Sequence, residues 1–321
     1  DESRQRVTPR ESRRILSAYR DVAYMAMRLR RIGELSATQL RDALSADLAY
    51  RLMVDPDWCD ATQIESFGES LGGAATAAIL LDMMSDARQR GDDLALLGLL
   101  HLVPGPSDGD PREALLRSSS PVPTALVEAT RHPNPSIRYQ AALAVAGLDD
   151  GTAYPGSSQV RRTLGEMRSL GDLPTATLVE TRPQLITQQE NILDQLGYDV
   201  VVVGTVAQLE RCVAAGGDLR LILAKTELWD LPAIEMLDRV RRIDRGEQVP
   251  IVFYGAEFAG VNSQRWATPA TLMERPASTA AFDSVLNTVE RRRRLPPLSP
   301  VDRKRFAEAA DEILAGMSPL R

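Results

Sequence analysis

The sequence predicts two fold classes in one chain: an α-helical domain over residues 1–172 and an α/β domain with a five-stranded parallel sheet over 173–294. A Pro-rich linker and a last helix fill residues 295–321. Three observations lead there. Up to residue 170, apolar residues recur three or four positions apart and the breaks coincide with Gly and Pro clusters. From Thr175 onward, short apolar runs alternate one by one with segments of helical period, the pattern of right-handed βαβ units. The chain has 321 residues, and a single core rarely grows that far.

In the helical half, Arg10–Arg31 sets Ile15, Tyr19, Val22, Ala26 and Leu29 on one stripe. Helical periodicity continues over 36–54, 60–90 (with a break near Gly72 and Gly73), 94–103 and 111–118. The clearest unit is Pro123–Gly147: a helix, a turn closed by Pro133 and Pro135, and a second helix capped by Ser136. Ile137, Ala141, Leu143, Ala144 and Val145 are expected to face neighbouring helices. With Ile137-Arg138 followed by Ala141-Ala142-Leu143, the segment resembles a HEAT repeat. The resemblance implies an α-α superhelix in which the upstream helices are degenerate repeats or a cap. An irregular helical domain is the alternative.

In the second half, strands are expected at 176–180, 199–204, 219–224, 250–254 and 270–274. Helices are expected at 184–196, 206–215, 232–243 and 278–294, with a shorter one inside 257–266. Five strands in this length match a flavodoxin-like fold with strand order 2-1-3-4-5. Gly216 and Gly217 most simply end a helix before the third strand. The last helix, 301–317, places Phe306, Ala310, Ile313 and Leu314 on one side and is expected to dock back on the protein.

Taken in order, these segments resemble the receiver domain of two-component response regulators. The matching pieces are Leu178–Pro183 (LVETRP), Leu196–Val200 (LGYDV), Pro250–Val252 and Arg275-Pro276. In that family two acids after the first strand hold magnesium and an Asp ending the third accepts a phosphoryl group. A Thr or Ser on the fourth strand and a Lys on the fifth contact the acyl phosphate. Carried over by position, the acidic pair becomes Glu180 and Thr181, and the acceptor becomes Lys225, or Ala224 with a shift of one residue. The hydroxyl becomes Gly255 and the lysine becomes Arg275. A lysine cannot form an acyl phosphate and opposes a cation beside it, so the resemblance implies a degenerate pseudo-receiver. Lys225 either pairs with Glu180 as a fixed substitute for the metal cluster or points into solvent.

Composition narrows the remaining classes. A net charge of -6 counts against nucleic acid as the main partner, and the basic run Arg291–Arg294 ends a helix, where cations suit the dipole. Cys59 and Cys212 fall in different halves, and His101 and His132 lie outside any ligand spacing. No cofactor or metal is therefore expected. The longest apolar run, Leu94–Val103, is too short for a membrane span. The sequence opens on Asp1 without a signal-peptide pattern, compatible with a fragment or processed product; the receiver resemblance implies a cytoplasmic location.

The sequence thus leads to a non-enzymatic interaction or scaffold protein of bacterial signalling. Its partners are expected to be proteins, including a second copy of the chain. Two other readings stay open: a small-ligand module at the strand carboxyl ends, and an atypical receiver phosphorylated on Glu227 or Asp230.

Overall fold

The computed structural model describes residues 77–103, 111–117, 121–225, 232–255, 270–273, 278–290 and 295–317. The helices expected before residue 77 and inside 257–266 lie outside them, as do Glu227, Asp230, Arg275 and Arg291–Arg294. Elements are numbered from the first described helix. The described residues fall into two compact units, one up to Glu128 with Ala144–Ser157, the other Ala129–Leu143 with Ser158 onward.

In the first unit, α1 (Ala77–Arg90) and α2 (Asp93–His101) form a hairpin. Gly91 supplies the left-handed turn at φ 61°, and the Asp92 carboxylate caps α2 by accepting from the Ala95 amide at 3.1 Å. Leu80, Met83, Met84 and Ala87 of α1 and Leu96, Leu99 and Leu100 of α2 are buried. The short helices α3 (Pro111–Leu116) and α4 (Ala125–Glu128) add Leu115, Leu126 and Val127 to the unit's buried residues. Helices where the sequence predicts them thus extend through the described part of this half.

The second unit begins with a 3-10 turn, Ala129–Arg131, and the amino-terminal part of α5 (Pro135–Leu148), followed by α6 (Ser157–Arg168). The cap of α5 is Asn134, whose side-chain oxygen accepts from the Ser136 amide at 2.9 Å, and not Ser136 itself. Ile137, Ala141 and Val145 are buried as expected, together with Arg138 and Tyr139, while Leu143 and Ala144 are half-buried.

Five parallel strands follow: β1 (Thr175–Val179), β2 (Asp199–Val203), β3 (Leu219–Lys225), β4 (Ile251–Tyr254) and β5 (Ala270–Met273). Their order is β2-β1-β3-β4-β5, the flavodoxin-like topology that the alternation predicts. Between and after them run α7 (Pro183–Gln195), α8 (Val206–Ala215), α9 (Ala233–Arg241) and α10 (Thr279–Glu290). The sheet carries a core on each face, which is why its central strands read as unbroken apolar runs. Val179, Ile222, Ala224, Ile251 and Phe253 pack with Leu209 and Val213 of α8 and Met236 and Val240 of α9. Leu178, Leu221, Leu223, Val252 and Tyr254 pack with Ile192 and Leu193 of α7 and Phe282 and Leu286 of α10.

The boundary predicted at 172/173 differs from this division. Residues 135–143 of α5 and 158–168 of α6 belong to the unit that holds the sheet. The last helix, α11 (Pro300–Gly316), docks on this unit as predicted. Phe306 and Ala310 are buried, and the Phe306 ring meets Tyr139 edge-on with centroids 5.5 Å apart.

Candidate functional site

The carboxyl ends of β1, β3 and β4 bring together most of the positions picked out by the sequence. Glu180 follows β1 directly, and its backbone amide donates to the Val203 carbonyl at 3.2 Å, which fixes the start of the loop. Arg182 is the extended N-cap of α7 and Pro183 its first residue, so the chain turns sharply and returns the Arg182 side chain to Glu180. Lys225 ends β3 half-buried, in register with Tyr254 at the end of β4. Gly255 follows at φ 145°, a conformation suited to glycine, and Thr181 is exposed.

Glu180 is a buried carboxylate with both oxygens engaged. Oε1 accepts from the Thr181 amide at 2.9 Å, the Arg182 amide at 3.1 Å and Arg182 Nε at 3.0 Å. Oε2 accepts from Arg182 Nη2 at 2.7 Å and from the Tyr254 hydroxyl at 2.7 Å. Burial alone would raise the Glu180 pKa, but the hydrogen bonds from Arg182, Tyr254 and the two amides hold it down at about 2. Burial, and then the hydrogen bond to this carboxylate, push the Tyr254 hydroxyl well above its ordinary value.

Arg182 is thus a cation bound directly to Glu180, a partner that the sequence reading did not name. Arg182 and Tyr254 are the site residues that reasoning missed. A signal existed for each: an arginine two residues after the acid at a strand-to-helix turn, and a tyrosine closing an otherwise apolar strand.

The arrangement does not fit the magnesium ion that a receiver resemblance implies. A hard cation needs several free oxygen ligands, and here the one carboxylate of the expected pair is bonded to five donors. No group of three or more metal-ligating side chains occurs among the described residues.

The low pKa of Glu180 makes a pH-dependent contribution. Its folded value lies below the ordinary carboxylate value of 4.5, so the stabilisation is present above that value and is lost as pH falls towards 2. The difference corresponds to about 3 kcal/mol at neutral pH. Urea titrations of wild type and Glu180→Gln are expected to differ by roughly that amount at pH 7 and to converge only at about pH 2 and below. A gap independent of pH would show that the carboxylate charge contributes nothing.

A second polar cluster lies at the amino ends of the strands. Glu166 of α6 is buried between two arginines. Its Oε1 accepts from Arg138 Nε at 2.7 Å, the Tyr139 hydroxyl at 3.0 Å and the Gly217 amide at 2.8 Å, and its Oε2 accepts from Arg245 Nε at 2.8 Å. Arg138 also donates to the Pro133 carbonyl at 2.8 Å and the Gly217 carbonyl at 2.7 Å. Burial pushes the Glu166 pKa up, but the Arg138 and Arg245 charges outweigh it and leave the carboxyl below its usual range.

Beside it, Asp218 accepts from Arg303 of α11 at 2.9 Å, and Arg303 also donates to the Asp172 carbonyl at 2.8 Å. Gly216 ends α8 as predicted, at φ 84°, but does more: a Cβ there would overlap the Glu166 carboxylate. From the sequence, Gly216 and Gly217 are expected only to end a helix, and Arg138 figures only in a repeat signature. In this cluster one buried carboxylate balances two buried guanidinium groups.

Among the described residues no helix is long and apolar enough to cross a membrane. No protein-family model and no curated protein matches the chain. Two solved structures are similar to part of it. One is the receiver domain of a sensor histidine kinase from Pseudomonas aeruginosa PAO1, solved with a magnesium ion coordinated in its active-site cleft. It is 24% identical, with a TM-score of 0.32, over 36% of this chain and 95% of that chain. The other is a response regulator receiver domain protein from Bacillus halodurans, 20% identical with a TM-score of 0.31, over 36% of this chain and 97% of that one.

Proposed function

We propose that this protein is a non-enzymatic interaction component of a signalling system, built around a receiver-like unit that works without phosphoryl transfer. The observation that carries the reading is the closed state of Glu180. Arg182, Tyr254 and two backbone amides occupy the carboxylate that would otherwise help to bind a metal. By the positional carry-over of the resemblance the acceptor position holds Lys225, or Ala224 with a shift of one residue, and neither is a carboxylate. A cationic side chain cannot take a phosphoryl group as an acyl phosphate.

A receiver fold with a filled pocket is held in one state, and its helices and sheet edges remain available to proteins. The helical half, with its HEAT-like segment at 123–147, supplies further contact surface. Strand order and the sequence resemblance support the receiver part of this reading, and fold alone dictates no function.

Two measurements test it. Incubation with acetyl phosphate and magnesium, followed by intact mass spectrometry, is expected to give no added phosphate, and beryllofluoride with magnesium is expected to leave the melting temperature unchanged. A labile phosphate on Glu227 or Asp230 would replace this reading with that of an atypical receiver. Affinity capture from a native lysate with the full chain is expected to retain a specific protein. Failure of capture, together with stabilisation by a small-molecule fraction, would favour a ligand-binding module instead.

A further inference from the structure

We infer that the groove between α8 and α9 docks an acidic helical segment of a protein partner. The inference rests on the interaction reading above and adds the surface and the chemistry of the partner. The groove measures about 770 Å³ and is floored by Ala207 and Ala214 of α8 and by Ile243 just after α9. Arg211, Arg239 and Arg242 line it together with a single acid, Glu210.

These charges are poorly balanced. Arg239 meets Glu210 at 3.5 Å, with both side chains partly exposed. Arg211 donates Nε to the Ala207 carbonyl of its own helix at 3.3 Å and pairs with no carboxylate among the described residues. Arg242 is exposed and its guanidinium has no partner among them. Arg162 of α6 adds a further guanidinium at the end of α8, donating to the Ala214 carbonyl at 2.6 Å. A concentrated basic groove in a chain of net charge -6 is a selective feature for an anionic partner.

The shape favours a protein segment over a nucleic acid. Alanines at 207 and 214 let another backbone approach closely, and Ile243 offers an apolar contact that a phosphate backbone would not use. The groove follows a ten-residue helix, a length of about 15 Å that matches a few turns of a partner helix. Guanidinium groups bind carboxylates through paired hydrogen bonds, so Asp or Glu one turn apart would match the arginine rim.

The test uses the full chain and a fluorescent helical peptide with Glu one turn apart and Ala or Leu between. A Gln-for-Glu version of the peptide and a single-stranded oligonucleotide serve as competitors. Fluorescence anisotropy is expected to show the acidic peptide binding at least about tenfold more tightly than its Gln version, with an advantage that shrinks in high salt. Arg211→Glu/Arg239→Glu/Arg242→Glu is expected to abolish that advantage while leaving the circular dichroism spectrum unchanged. Glu210→Gln, which releases Arg239, is expected to strengthen binding a few-fold.

Equal affinity for the two peptides, no binding, undiminished binding by the triple variant, or displacement by a lower concentration of oligonucleotide than of peptide would each overturn the inference. Repeating the lysate capture with the triple variant separates it from the broader reading. A partner still retained defeats the groove but not the interaction function, whereas no partner retained by wild type defeats the interaction function itself.

Discussion

Glu166→Gln is expected to destabilise the second unit by about 3–5 kcal/mol, because it leaves Arg138 and Arg245 buried without their countercharge. The loss would be a large share of the stability of an ordinary domain. Glu166 and Arg138 side chains are each 2% exposed and that of Arg245 is 7% exposed, so solvent can do little to compensate. The reverse comparison is as informative. Replacing Glu166, Arg138 and Arg245 together by apolar residues of similar volume is expected to recover most of the loss, since no stranded charge remains. Urea unfolding at pH 7 measures both. A loss below about 1 kcal/mol for Glu166→Gln would mean that the cluster is solvated in solution. The Glu166 pKa lies below its ordinary value, so its contribution is present at neutral pH and is lost on acidification below the carboxylate range.

The second large effect concerns where the α/β part can be cut. The fragment 173–294, bounded as the sequence grammar suggests, is expected to fail to fold cooperatively, whereas 129–321 is expected to unfold in a single transition. The shorter piece lacks Glu166, Arg138 and Tyr139, and it also lacks Arg303 and Phe306 of α11. It would leave Arg245 without its carboxylate and Asp218 with Arg220 in place of its two arginines, and it would expose the apolar patch under Phe306. Urea titrations of the two fragments, followed by both far- and near-ultraviolet circular dichroism, decide the matter. Coincident cooperative transitions with similar midpoints would show that the sheet and its four helices suffice.

The sheet was legible in the sequence because each strand is an apolar run bounded by turn residues and separated by a helix-length segment. Asp199–Val203 and Ile251–Tyr254 differ from expectation by no more than a residue at one end. Glu180 was legible as a site position because it closes the first strand. Its partners were not, since the turn that brings Arg182 back depends on Pro183 starting α7 at that point, and Tyr254 arrives from 74 residues away. Glu166 was opaque for a plainer reason. In Ser157–Arg168 it stands among charged residues that look like a solvated face, and its burial depends on Gly217 and Arg245, 51 and 79 residues further on. Side-chain periodicity reports which face of a helix is apolar, but it does not report where a distant guanidinium will meet a carboxylate.

The position of Arg303 in the chain sets an order of events during synthesis. Its bonds to the Asp172 carbonyl and to Asp218 span 131 and 85 residues, so the amino pole of the sheet cannot close until the last helix has left the ribosome. Until then Asp218 has Arg220 as its arginine partner, and the Tyr139 ring lacks its contact with Phe306. Contacts of such long sequence separation form late, and removing one accelerates unfolding more than it slows folding. Helix α11 thus acts as a latch on this unit, one that adds to its kinetic durability.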